Sequence, residues 1–98
     1  MLVVANWPKS RQHVWNTLLA ARAMENECYV VGVNRCGIDS QGVDYGCGSS
    51  QIIDFKGKVI SKTSEGNNIA AAPISPNKLQ EFREKFPAWR DADPFKLI

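Results

Sequence analysis

The sequence predicts an α/β domain of about five strands and two helices, and three observations carry that prediction. Two short runs, Met1-Leu2-Val3-Val4-Ala5 and Tyr29-Val30-Val31-Gly32-Val33, are apolar at consecutive positions. Between them the apolar residues recur at helical spacing. Further on, residues 50–55 and 58–63 read as a hairpin turning at Lys56-Gly57. Strands that are apolar on both faces belong in a sheet covered on both sides, the usual setting of parallel strands joined by a crossover helix.

The elements follow in order. Residues 2–5 form the first strand, with no polar lead-in before them. Pro8 suits a first helical turn, where its missing N–H is no loss, and Ser10 is a second candidate cap. From about residue 9 to 27, Val14, Leu18, Ala21 and Met24 recur on one helical face, which Trp15 and Leu19 widen. Residues 28–34 give the second strand, so the unit is a crossover of right-handed expectation. After the hairpin, a fifth strand is expected near residues 68 to 74. Ser75-Pro76 then caps a helix with the stripe Leu79, Phe82 and Phe86, and Pro87 stops it. The aromatic tail, residues 88–95, is expected to pack on a neighbour.

One long helix covers one sheet face, and the opposite face lacks an obvious cover. Large exposed apolar surfaces are rare in soluble monomers. The missing layer is therefore expected from another polypeptide segment, another subunit, or both. A chain opening directly on such a strand is also expected to lack an earlier part of its domain.

Composition excludes several classes of function. A net charge of +2, with lysines and arginines dispersed along the chain, does not suit nucleic acid. No apolar stretch reaches the length of a membrane span, and the opening run is too short for a signal peptide, so a cytoplasmic location is expected. Cys28, Cys36 and Cys47 are odd in number, at spacings of 8 and 11, which fits neither a disulfide framework nor a paired zinc motif. With His13 as the only histidine, the chain is poor in metal ligands, and neither metal nor cofactor is expected. Residues 34–50 hold Gly37, Gly42, Gly46 and Gly48 with no apolar period, so they read as a long loop of functional or interface character. No helix follows Gly46 and Gly48 as a phosphate-binding turn would require.

Taken together, Ala5-Asn6-Trp7-Pro8, the Arg11…Trp15…Leu18-Leu19 helix, Ala21 to Asn26 and Asn34-Arg35 resemble the stretch after the catalytic cysteine in the nitrilase superfamily of carbon–nitrogen hydrolases. The run Arg83 to Phe95, REKFPAWRDADPF, resembles the omega-amidase branch, whose members hydrolyse the terminal amide of 2-oxo acid monoamides such as 2-oxoglutaramate. The resemblance covers essentially the whole chain. It implies that residues 1–98 are the C-terminal part of an α-β-β-α sandwich. It also implies a cysteine nucleophile, a glutamate base and an oxyanion-stabilising lysine, all placed before these residues in the family. The family nucleophile precedes Tyr-Asp, and none of the three cysteines here does. No residue of this chain is assigned the catalytic role.

Asn6 and Trp7 are the candidate substrate-binding residues. The resemblance places Asn6 at the active-site rim, and an amide can both donate to and accept from an amide or carboxylate. Asn6 serves equally as a helix cap or turn residue, and Trp7 as core packing or as a pocket wall. Glu25 and Asn26 read as structural, Arg22 and Arg35 as partners of a carboxylate or of nearby acids, and His13 as lying on the exposed or interface side of its helix. The expected partners are a small amide substrate in the context of the whole domain, and either a second copy of the chain or an N-terminal half.

Overall fold

The computed structural model describes all residues, 1–98. Strand β1 (Leu2–Ala5) leads through a 3-10 turn (Lys9–Arg11) into helix α1 (Gln12–Glu25) and back to strand β2 (Val30–Asn34). A loop then reaches the hairpin β3 (Gln51–Ile53) and β4 (Val59–Lys62), followed by helix α2 (Pro76–Lys85) and a last 3-10 turn (Ala88–Asp91). The sheet order is β1-β2-β3-β4. The crossover pair β1–β2 is parallel and the other two pairs are antiparallel.

Register decides what each face carries. Val3 pairs with Gly32 and Ala5 with Asn34, while Val30 pairs with Ile53, and this parity faces α1. The core is Trp15, Leu19 and Ala23 of α1 against Val30 and Ile53, with Val3, Ala5, Trp7 and Cys28 packed around it. The helix lies close because Gly32 has no side chain: a Cβ there would collide with Leu19 Cδ1 and stand 3.0 Å from the Trp15 ring. That close seat explains a difference from the sequence reading. The buried stripe is Trp15, Leu19 and Ala23, whereas Leu18 and Met24 are about half exposed. The helix is rotated so that its largest aromatic side chain sits over the glycine.

The other parity carries Leu2, Val4, Val31, Val33 and Ile52, aligned by Leu2–Val31, Val4–Val33 and Val31–Ile52 pairing. This face is open: Leu2 is 68% and Val4 73% exposed. The molecule is accordingly a slab of 46 × 39 × 17 Å. Its radius of gyration is 15.9 Å, against about 13 Å for a compact domain of this length. Two-sided coverage is thus not supplied by these residues.

The expected fifth strand does not form, and the sheet has four. Instead residues 68–70 share a shallow cleft with Val31, Val33 and Ile52 on the open face. Crossing a face rather than joining an edge leaves a backbone no ladder partner. Three successive alanines and Pro73 also disfavour a strand. Ser10 caps nothing by its side chain, since neither the 3-10 turn nor α1 has a side-chain cap.

Helix α2 forms as the sequence reads. Ser75 Oγ accepts from the Lys78 N–H at 3.2 Å, and Pro76 occupies the first turn. Phe82 stacks at 4.9 Å on Phe55, which meets Tyr29 edge-on at 5.4 Å. The Ser75 N–H donates to Tyr29 Oη, and Arg83 Nε donates to the Glu27 carbonyl at 2.9 Å. The helix is thereby pinned near the start of β2. Past it, Trp89 and Phe95 are 63% and 86% exposed.

Candidate functional site

In a sheet with parallel strands, ligands gather beyond the strands' carboxyl ends. Here β1 and β2 end side by side at Ala5 and Asn34. Asn6 follows at once, exposed, and its side chain makes no hydrogen bond in the structure. It is not a cap: Pro8 and Arg11 occupy the two N-cap positions. Its amide is therefore free to meet a ligand.

Trp7 is held from several directions. Its N–H donates to Asn34 Oδ1 at 2.6 Å, and its carbonyl accepts from Asn34 Nδ2 at 2.9 Å. Its indole donates to the Arg11 carbonyl at 2.7 Å, and the Arg11 guanidinium lies 4.9 Å from the ring centre. The ring is half-buried and tilted at 5.8 Å from Trp15. Trp7 thus combines core packing with a place beyond the paired carboxyl ends of β1 and β2.

The residue that builds this corner is Asn34. Besides gripping Trp7, its Nδ2 donates to Ser49 Oγ at 2.9 Å, and its own N–H donates to Ser50 Oγ at 2.9 Å. The Trp15 indole, buried, donates to the Ser49 carbonyl at 2.7 Å. One amide therefore clasps the segment after β1 to the segment before β3. In the sequence Asn34 stands out only as part of the Asn34-Arg35 pair. The available signal was an amide at the carboxyl end of a strand parallel to the one preceding Asn6.

The glycine-rich loop between these clasp points has its own scaffold. Asp39 Oδ1 accepts from the Gln41 and Val43 N–H groups at 2.9 Å each, and the Tyr45 hydroxyl donates to Asp39 Oδ2 at 2.9 Å. The Val43 amide foremost, then the Tyr45 hydroxyl, hold the Asp39 carboxyl below its usual range. The same bond to Asp39 is the main cause that raises the Tyr45 phenol. Arg35 lies over the Tyr45 ring at 4.8 Å. These groups satisfy one another and shape the loop.

Across it, Cys36 and Cys47 are joined by a disulfide, which corrects the expectation that the cysteines form no such framework. The cause is local pairing. Gly37 N–H donates to the Gly46 carbonyl and Tyr45 N–H to the Gly37 carbonyl, both at 2.9 Å. Those bonds bring the two cysteine Cα atoms to 4.9 Å, within disulfide range. Spacing along the chain does not reveal this pairing. Cys28 stays free, half-buried against the core.

The other candidates are occupied or remote. Glu25 forms an ion pair with Arg22 at 3.0 Å, and Asn26 Nδ2 donates to the Arg22 carbonyl. His13 is exposed on α1. No cysteine here has a histidine base beside it, and two are consumed by their mutual bond.

One sheet, one covering helix layer and a bare apolar face are what half of an α-β-β-α sandwich looks like. The chain belongs to the carbon–nitrogen hydrolase family, whose profile its residues 2–84 match. It is similar to a solved carbon–nitrogen hydrolase superfamily protein from Xanthomonas campestris, with a TM-score of 0.84 at 40% identity, over 99% of this chain and 37% of that one. It is 47% identical to omega-amidase YafV of Escherichia coli, over 98% of this chain and 38% of that protein. It is also 37% identical to the 2-oxoglutaramate amidase of Paenarthrobacter nicotinovorans, over 92% of this chain and 30% of that protein. The chain therefore spans well under half the length of the curated relatives it matches. No helix is long and apolar enough to cross a membrane.

Proposed function

We propose that these residues are the C-terminal part of an omega-amidase-like carbon–nitrogen hydrolase acting on the terminal amide of 2-oxo acid monoamides such as 2-oxoglutaramate, and that this chain by itself is inactive. The observation that carries the reading is the 47% identity to an omega-amidase along 98% of the chain. In the family chemistry a cysteine thiolate attacks the amide carbonyl, ammonia leaves, and water releases the acid from the thioester. A glutamate moves the protons and a lysine steadies the oxyanion. None of these three roles falls on Cys28, Cys36 or Cys47, which lack the Tyr-Asp that follows the family nucleophile.

What this chain contributes is one wall of the site. Asn6 offers a free amide that donates to a carboxylate or oxo group and accepts from the scissile amide. Trp7 stands behind it as a wall fixed by Asn34 and Arg11. The open face carrying Leu2, Val4 and Val33 pairs with an N-terminal half of the domain or with a second copy of the chain. The setting is cytoplasmic.

Ammonia release from 2-oxoglutaramate decides the matter. The expected result is none from the pure 98-residue chain and turnover once a polypeptide bearing the cysteine, glutamate and lysine is supplied. Turnover by the chain alone refutes the inactivity. Sedimentation tests the partner: a monomer that binds no apolar dye speaks against pairing through the open face.

A further inference from the structure

Beyond the amidase reading, the Cys36–Cys47 pair carries chemistry that the proposed hydrolysis does not use. Both cysteines are exposed. The backbone bonds between Gly37, Gly46 and Tyr45 flank the pair and do not depend on the sulfur bond. A reduced pair therefore stays side by side, and closing it again needs little reorganisation. Cys47 is further set between Gly46 and Gly48, both in left-handed conformation (φ 65° and 88°). Neither neighbour places a side chain over the sulfur.

Cys47 also lines a cleft of about 870 Å³ between the start of α1 and the β4 edge. The cleft is polar. Gln12, Asn16 and Gln51 face it, Lys9 and Lys62 bring positive charge, and no acidic side chain is among its lining residues. Asp44 touches Lys9 at 3.7 Å, whereas Lys62 has no carboxylate within salt-bridge distance. Cys36 does not line this cleft.

We propose that Cys36 and Cys47 form a reversible thiol–disulfide exchange site, with Cys47 as the entry thiol for a small anionic disulfide bound in the cleft between Lys9 and Lys62. The Cys47 thiolate attacks one sulfur of the incoming disulfide, forming a mixed disulfide and expelling one thiolate. The Cys36 thiolate then attacks Cys47 Sγ, closing the intramolecular bond and expelling the second. The two protons lost by the cysteines end on the two released thiols. The incoming disulfide is reduced by two electrons and the protein oxidised by two.

Closure ties a loop that begins at Asn34 and ends at Ser49, both members of the clasp on Trp7. The loop also holds Lys9, whose N–H donates to the Asp44 carbonyl at 2.9 Å.

The test starts from the fully reduced chain at neutral pH, with oxidised glutathione (anionic) and cystamine (cationic) as probes and mass spectrometry with peptide mapping as readout. Glutathione is expected to close Cys36 to Cys47 and leave Cys28 free, faster than cystamine at low salt, and excess reduced glutathione is expected to reopen the bond. Cys36→Ser is expected to accumulate one glutathionyl group on Cys47, whereas Cys47→Ser captures glutathione about tenfold more slowly. Lys62→Glu, a change on an exposed strand edge, is expected to slow glutathione about tenfold and to speed cystamine, in line with electrostatic steering. Bonds to Cys28, failure of reduced glutathione to reopen the pair, equal capture by the two single-cysteine variants, or equal rates for the two probes would each overturn the proposal. Slow alkylation of half-buried Cys28 in every variant checks that the fold is intact.

Discussion

Asn34→Ala is the most informative single change in this molecule. The side chain makes three hydrogen bonds, to the Trp7 N–H, the Trp7 carbonyl and Ser49 Oγ, at 2.6, 2.9 and 2.9 Å. Each part-buried bond is worth about 0.5–1.5 kcal/mol net, and stranded backbone groups cost more than bonds that were never formed. Because Trp7 is only half-buried, water replaces part of the loss, and the expected cost is about 2–4 kcal/mol. At about 1.5 kcal/mol per molar urea, a 3 kcal/mol loss lowers the unfolding midpoint by about 2 M. Ser49→Ala removes only one of the three bonds and is expected to cost about 0.5–1.5 kcal/mol. The assay is urea unfolding followed by tryptophan fluorescence, with amide exchange locating the effect. The Trp7 N–H is expected to exchange much faster in Asn34→Ala, while the β2–β3 ladder stays protected. A cost below about 0.5 kcal/mol, the floor for one such bond, or one equal to that of Ser49→Ala, would show that the clasp does not hold the rim.

Other outcomes follow from the same geometry. Gly32→Ala is expected to cost about 1–3 kcal/mol by overpacking against Leu19 and Trp15, and less in a Leu19→Ala background; strict additivity in the double-mutant cycle argues against direct contact. Glu27 sits at φ 44°, buried, with Oε1 unpartnered, so Glu27→Gly is expected to stabilise by about 1 kcal/mol in the same urea assay. Asp39 is depressed below 3.8 in the folded loop, so its contribution is complete above that pH and lost as pH falls through the lower folded value. Asp39→Asn should remove that acid dependence from loop amide exchange. Tyr45 is raised above 10.0, so its contribution holds below that pH and disappears as pH rises through the folded value, readable by phenolate absorbance. The proposed substrate role of Asn6 predicts that, in a full-length protein carrying this segment, Asn6→Ala lowers kcat/KM for 2-oxoglutaramate about tenfold or more, the worth of one substrate hydrogen bond, with the urea midpoint unchanged.

How much was legible depended on whether a feature is periodic. The strand–helix–strand unit and α2 were readable because apolar runs and caps are local: Ser75 and Pro76 announce their helix, and the glycine turn announces the hairpin. The face of α1 was not, because Val14, Leu18, Ala21 and Met24 fit a helical stripe as well as Trp15, Leu19 and Ala23 do. What chose between them is Gly32, a residue on another element. Residues 68–74 failed as a strand for a similar reason, since a strand needs a ladder partner and both free sheet edges lie elsewhere. The Cys36–Cys47 bond rests on backbone pairing inside an aperiodic loop, which composition and spacing do not encode. Asn6 and Trp7 were placed at the rim by resemblance, and the clasp by Asn34 emerged only from three-dimensional proximity.

The parity of β1 separates the roles of its two neighbours. Side chains alternate along a strand, so Val3 and Ala5 share one side and Leu2 and Val4 the other. Val3, Ala5 and Trp7 pack with the α1 core, while Leu2, Val4 and Asn6 are exposed. Asn6, just past the end of β1, is exposed, and Trp7 packs on the side that α1 covers. A pocket formed when a second layer closes over Leu2 and Val4 would meet Asn6 first, with Trp7 fixing the backbone from behind. Under the proposed function the clasp has a reason to be strong: an amide that contacts substrate is useful only if the residue after it cannot drift. Asn34 and the loop it anchors are what hold that residue, so rim and loop form one mechanical unit.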